Sequence, residues 1–286
     1  MKRYCLTCFT FLFILFLYGC DNRKSLSAEL TSDDYKLVWA DEFDIDGKPD
    51  PANWNYEKGF VRNEEFQWYQ EENATCKKGK LVIEALRERT ENPNYVSGST
   101  DWRINREFAE YTSSSLTTKG LHSWKFGRFE MRAKIDTRPG LWPAFWTLGV
   151  SRDWPRNGEI DIMEYYKDKL LANIAWGGRE KWQPVWDTFI LPLDSLREKD
   201  GDWSGKFHVW RMDWEEEYIR LYLDDVLMNS ADLSATINRD PEGANPFLQP
   251  HYIIVNLAIG GTAGGDPSRS LFPAFYEIDY VRVYRK

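Results

Sequence analysis

The stretch Gly158-Glu159-Ile160-Asp161-Ile162-Met163-Glu164-Tyr165-Tyr166 sets three carboxylic acids among large apolar residues. If it is a strand, Glu159 and Asp161 share a face, because successive side chains point to opposite sides. A regular strand would put Glu164, five residues after Glu159, on the other face. One β-bulge between Asp161 and Glu164 returns it to the first. A helix serves the acids worse: offsets of two and five residues are about 200° and 500° of rotation at ~100° per residue. The stretch therefore reads as a bulged strand with three acids facing one way and Ile and Met facing a core. Clustered like charges repel and raise one another's pKa, so such a face is costly unless it is used. Two carboxyl groups about 5–5.5 Å apart are what a retaining glycosidase requires. One attacks the anomeric carbon; the other protonates the departing oxygen and then activates water. A solvated acidic edge or a cation site is the structural alternative.

Outward from this segment the strand signal continues. Residues 80–85 (KLVIEA), 127–135 (GRFEMRAKI), 218–223 (YIRLYL), 252–259 (YIIVNLAI) and 277–284 (EIDYVRVY) alternate or run apolar over strand lengths. Asp, Asn, Gly and Pro clusters separate them, as at 44–51 and 260–267. Long helical periodicity is absent, and only short helical turns fit, near 51–54 and 193–197. Many strands in one core predict an all-β sandwich of two antiparallel sheets. The glycine-rich run 260–265 follows a strand with no helix expected after it, so it reads as a loop at a cleft edge rather than a phosphate loop.

With 42% hydrophobic residues the chain can bury a sizeable core, and general disorder is excluded. The formal charge of −8 argues against nucleic acid, which needs a basic face. Aromatics are numerous, 14 Trp, 15 Tyr and 16 Phe. They suit strands, and some could offer flat faces to the C–H faces of pyranoses. The N-terminus has Lys2 and Arg3 followed by an apolar run over 5–18, too short for a membrane helix and suited to a signal peptide. It ends Leu17-Tyr18-Gly19-Cys20, which resembles a bacterial lipobox, although Tyr18 replaces the usual small residue. The expected organisation is a signal peptide over 1–19, a lipidated Cys20 and polar tether over 20–35, and one catalytic domain over 36–286. A chain lipidated at Cys20 is anchored to a membrane rather than embedded in it. Cys76 then remains as a lone thiol, read as a small buried hydrophobe. His122, His208 and His251 are not spaced as a metal cluster or a nucleophile–base pair and read as structural. The sequon at Asn73 reads as coincidental.

Residues 158–165 (GEIDIMEY) resemble the catalytic signature of glycoside hydrolase family 16 in its bulged E-x-D-x-x-E form. The likeness extends in order through 63–69 (NEEFQWY), 111–130, 140–146 (GLWPAFW), 256–261 (NLAIGG) and 279–284 (DYVRVY), all similar to laminarinase-type members, and covers about residues 36 to 286. It implies a β-jelly roll with an open cleft on a concave sheet. It also implies Glu159 as nucleophile, Glu164 as general acid/base and Asp161 as hydrogen-bond partner of the nucleophile, with no cofactor needed for chemistry. By the same resemblance Trp142 and Trp146 would meet sugar rings, and Asn63, Arg128 and Asn256 sugar hydroxyls; Trp176 is a further candidate platform. A structural Ca²⁺ would be held by backbone at Glu42 and Gly79 and by the carboxylate of Asp279.

One position departs from the pattern. Laminarinases commonly carry His before the aromatic in the strand after the catalytic one, and Ala175 stands there. The expected activity is endo-hydrolysis of a β-1,3-glucan, laminarin-type or mixed-linkage. The alternative is an endo-β-1,4-galactosidase on mucin-type or keratan glycans or another galactan, since a small residue could make room for the axial O4 of galactose. A third reading, from another class, is a non-catalytic carbohydrate-binding lipoprotein. A monomer in the cell envelope, at the outer membrane or cell surface, completes the expectation.

Overall fold

In a computed structural model of the chain, residues 34–286 are described. The expected signal peptide, Cys20 and most of the expected tether fall outside the described residues. Two antiparallel sheets carry the domain. The outer sheet has the order Val226–Asp232, Tyr218–Leu223, His208–Trp214, Gly127–Lys134, Ala274–Arg285, Leu81–Ala85 and Ala74–Cys76, with Lys36–Asp41 also paired to Ala274–Arg285. The inner sheet runs Pro184–Pro192, Lys169–Gly177, Glu159–Tyr166, Leu141–Gly149, His251–Ile259, Ser115–Thr117 and Asn55–Tyr56. This is the two-sheet antiparallel sandwich that the strand pattern predicts, in the jelly-roll form that the resemblance implies. Two details differ. The small pairing of Gln67–Tyr69 with Tyr111–Ser113 is parallel, and a one-turn helix, Gly261–Gly264, follows Gly260 where a plain loop is expected.

Alternation explains which face each strand buries. In Gly127–Lys134, Phe129, Met131 and Ala133 are fully buried, while Arg128, Glu130, Arg132 and Lys134 stay partly exposed on the outer surface. The inner sheet is more deeply covered: every residue of His251–Ile259 is buried. One side of that strand joins the common core through Ile253, Val255, Leu257 and Ile259. The other side joins small clusters with Trp146 and Trp142 beneath the cleft. A strand covered on both faces loses its polar alternation and reads as a continuous apolar run.

The polar residues left over have ordinary structural partners. Cys76 is buried in the core, where burial pushes its thiol up to about 12, so it is not a reactive thiolate. His251 lies between the Thr147 hydroxyl and the Pro246 carbonyl. His208 binds Asp224 and the Trp203 carbonyl, and His122 meets the Ala52 carbonyl. Asn73 is buried and donates to the Glu84 carbonyl and the Thr112 hydroxyl, so its sequon is inaccessible.

Candidate active site

The Glu159–Tyr166 strand carries the bulge. Against Leu141–Gly149, Met163 pairs with Phe145 and Asp161 with Trp146, so Ile162 has no opposite number. Against Lys169–Gly177 the same break lies between Asp161 and Glu164. Ile160, Ile162, Met163 and Tyr165 all enter the core, two of them consecutive. Glu159, Asp161 and Glu164 consequently share the opposite face and line an open cleft of about 690 Å³. The floor of the cleft is a lattice set by strand register. Glu159 is beside Ala175, which is beside Trp186; Asp161 beside Asn173, then Thr188; Glu164 beside Leu171, then Ile190.

Each acid has defined partners. Trp154 Nε1 donates to Glu159 Oε2. Trp142 Nε1 donates to Glu164 Oε1 at 2.8 Å, and Asn173 Nδ2 to Glu164 Oε2 at 3.1 Å and to Asp161 Oδ2 at 3.3 Å. Burial dominates the ionisation of all three, because a low-dielectric site disfavours the charged form. It raises Glu159, against the opposing effects of the Trp154 N–H, a hydrogen bond from Asp161 and the Arg62 charge. It raises Asp161 well above the carboxylate range, reinforced by the charges of Glu159 and Glu164. It pushes Glu164 up to about 7, with the Glu159 charge adding to burial and the two N–H donors opposing. Burial thus favours the protonated form in each acid, strongly so in Asp161, and leaves Glu164 near its midpoint at neutral pH.

The expected sugar-contact residues divide. Trp142, Trp146 and Asn63 line the cleft. Asn63 does so from a left-handed backbone position, φ 55°, which Asn tolerates. Asn256 is buried behind the wall: its Oδ1 accepts from Trp146 Nε1 at 2.8 Å and its Nδ2 donates to the Tyr69 hydroxyl at 3.1 Å. It therefore holds Trp146 and does not itself face sugar. Trp176 is misplaced by the sequence reading. Its neighbours Leu171 and Asn173 line the cleft; parity turns Trp176 into the main core. Arg128 is also misplaced: it lies on the outer sheet, ion-paired to Asp213 at 2.7 Å and stacked on Tyr35.

The calcium expectation does not fit the residues present. Asp279, the carboxylate of the set, binds Arg132 Nη1 at 2.6 Å, and a guanidinium there would repel a dication. Among the described residues no group of three or more His, Cys, Asp or Glu converges as a metal site.

Among the cleft residues that the sequence reading missed are Arg62, Trp154, Asn173 and Trp186. Arg62 pairs with Glu57 and lies over the Trp146 ring, 5.0 Å from its centroid. Asn173 and Trp186 had a parity signal, being in phase with the acids once strand pairing is known. Arg62 had none, since it comes from a turn.

The sequence model of Glycosyl hydrolases family 16 matches residues 63–282. A beta-glucanase of Rhodothermus marinus is 35% identical over 269 residues, covering 88% of this chain and 85% of the relative. Among solved structures, one described with endo-acting O-glycanases by which prominent members of the human gut microbiota initiate mucin breakdown superposes with a TM-score of 0.80 at 34% identity, covering 89% of this chain and 92% of the other. The catalytic domain of an endo-1,3-beta-glucanase (laminarinase) of Thermotoga petrophila gives 0.74 at 32%, covering 88% and 98%.

Proposed function

This chain belongs to glycosyl hydrolases family 16 and is an endo-acting, retaining β-glycoside hydrolase; on that footing we propose that Glu159 is its nucleophile, Glu164 its acid/base and internal β-1,3-glucosyl linkages its substrate. The observation that carries the roles is the bulged strand. It puts all three acids on the floor of an open cleft, with Trp154 donating to Glu159, Trp142 to Glu164, and the Asn173 amide to both Glu164 and Asp161. An open cleft admits a chain without requiring its end.

In the first step the Glu159 carboxylate attacks the anomeric carbon. The bond to the leaving oxygen breaks, and that oxygen takes the Glu164 proton, giving a glycosyl ester on Glu159. Asp161 donates to Glu159 and spreads its charge before attack. Ester formation removes the Glu159 charge that helps keep Glu164 protonated, so the acidity of Glu164 increases and it becomes a carboxylate fit to act as base. It then takes a proton from water, which attacks the same carbon and frees Glu159. Two inversions give net retention. No cofactor enters any step.

Substrate assignment leans on the glucanase relatives. A second reading, an endo-β-1,4-galactosidase of mucin-type or keratan glycans, is favoured by Ala175. It is fully buried on the rung between Glu159 and Trp186, so this rung carries an aromatic platform and no polar contact. The similarity to the O-glycanase-associated structure points the same way. The deciding experiment is incubation of residues 21–286 with laminarin, mixed-linkage glucan, agarose, keratan and mucin O-glycans, read by mass spectrometry, with the first-released anomer followed by NMR. Glucose oligomers from laminarin with a retained anomer support the leading reading. Galactose-terminated products with laminarin untouched replace it with the second, and an inverted first anomer sinks both. The same proposal places the domain at the cell envelope as a monomer, anchored through lipid on Cys20. Continued membrane association of a Cys20→Ala variant would refute the anchor.

A further inference from the structure

Asn173 sits at the centre of the acid trio, yet it is neither a titrating group nor a sugar platform. It is buried, on the strand beside the catalytic one and in register with Asp161. Its single NH₂ group carries two hydrogens, and both are used: one toward Asp161 Oδ2 at 3.3 Å, the other toward Glu164 Oε2 at 3.1 Å. Its Oδ1 is buried with no hydrogen-bond partner among the described residues. An unpartnered buried acceptor costs free energy, so the orientation persists only because both donors are needed where they are. Turning the amide over would aim Oδ1 at two carboxyl groups.

The consequence lies in where the Glu164 proton can go. A carboxyl group has about four lone-pair positions on its two oxygens. The Trp142 N–H occupies one on Oε1, and the Asn173 N–H one on Oε2. Trp142 comes from one neighbouring strand and Asn173 from the other. A proton on Glu164 is therefore excluded from those two positions and confined to the remaining ones of a group that lines the cleft.

We propose that Asn173 is a positioning residue for proton transfer: together with Trp142 it denies two of the acceptor positions of Glu164 to the proton and so helps present that proton to the glycosidic oxygen. Its second N–H ties this geometry to Asp161, and through Asp161 to the nucleophile. The proposal rests on Glu164 being the acid/base.

The test compares kcat/KM on the polysaccharide cleaved best with kcat/KM on the 2,4-dinitrophenyl glycoside of its shortest released oligosaccharide. The phenolate leaves without being protonated, so only the first substrate needs a well-placed acid. For Asn173→Ala, kcat/KM on the polysaccharide should fall by about 10–100-fold, the scale of misplaced general acid catalysis. On the dinitrophenyl glycoside it should stay within about threefold. The alkaline limb of the polysaccharide profile should move to higher pH, because a donor that favours the Glu164 carboxylate has been removed. Asn173→Ser keeps one small donor and should fall between. Equal losses on both substrates with an unmoved limb, in either variant, would overturn the proposal and leave Asn173 a structural residue. Glu164→Ala, run alongside, should show the same contrast more strongly. If it does not discriminate between leaving groups, the acid/base assignment fails, and this proposal fails with it for a different, recognisable reason.

Discussion

Replacing Glu164 by Gln should stabilise the fold at alkaline pH while destroying its chemistry. Burial and the nearby Glu159 charge hold Glu164 at about 7 against an ordinary 4.5. In the unfolded chain the group ionises near its ordinary value, so the folded state is penalised as pH rises from about 4.5, and the penalty is complete above about 7. At ~1.4 kcal/mol per pH unit the full penalty is about 3 kcal/mol. For a domain of this size that corresponds to about 6–12 °C in Tm. Gln cannot ionise and escapes the penalty. It has its own cost: it offers one acceptor oxygen where the carboxyl offers two, so either Trp142 Nε1 or Asn173 Nδ2 loses its partner, worth about 1–3 kcal/mol. That cost is the same at every pH. The diagnostic is therefore the change in the Tm difference between variant and parent from pH 4.5 to pH 8.5, measured by calorimetry. The difference should move in favour of Gln by several degrees. A difference that does not move would mean that the fold does not hold the Glu164 proton, and the acid assignment would lose its physical basis. The same ionisation should set the alkaline limb of kcat/KM near pH 7 in the parent.

Glu159→Gln should lower turnover more than about a thousand-fold, since the group that forms the glycosyl ester is gone, while calorimetric binding of an oligosaccharide survives; turnover within tenfold of the parent would reject Glu159 as nucleophile. Arg128→Ala should leave kcat/KM unchanged within about twofold but lower stability by about 1–3 kcal/mol, because Asp213 loses its closer charged partner and keeps only Arg211 at 3.6 Å. A loss of activity at unchanged urea midpoint would return Arg128 to the cleft.

The acid trio was legible because its signal is local. Three acids and the residues between them lie in one strand, and counting faces along it demands a bulge, which the pairing then displays between Asp161 and Glu164. Arg128 was harder. Its own strand alternates cleanly, with Phe129, Met131 and Ala133 inside, so its outward direction could be read. Which sheet it belonged to could not, because that is decided by pairing with Ala274–Arg285, far away in the chain. Trp176 failed for the opposite reason: its sheet was right and its parity wrong, since an aromatic in a strand packs equally well into a core or under a sugar.

What distinguishes Asn173 from Trp176 is its register with Asp161, a relation between two strands that neither strand carries alone. The same relation places Trp186 two strands from Glu159 with only Ala175 between them. The bulge makes this arrangement functional. It absorbs Ile162 and Met163 into the core together, so Glu164 returns to the cleft face opposite Leu171 while Asp161 keeps Asn173. Were the same sequence paired as a regular strand, Glu164 would enter an apolar core unpaired, and the Asn173 amide would have one acid to serve instead of two. The catalytic geometry is thus a property of strand register as much as of residue identity, and changes to the bulge should be less tolerable than changes to any one aromatic wall of the cleft.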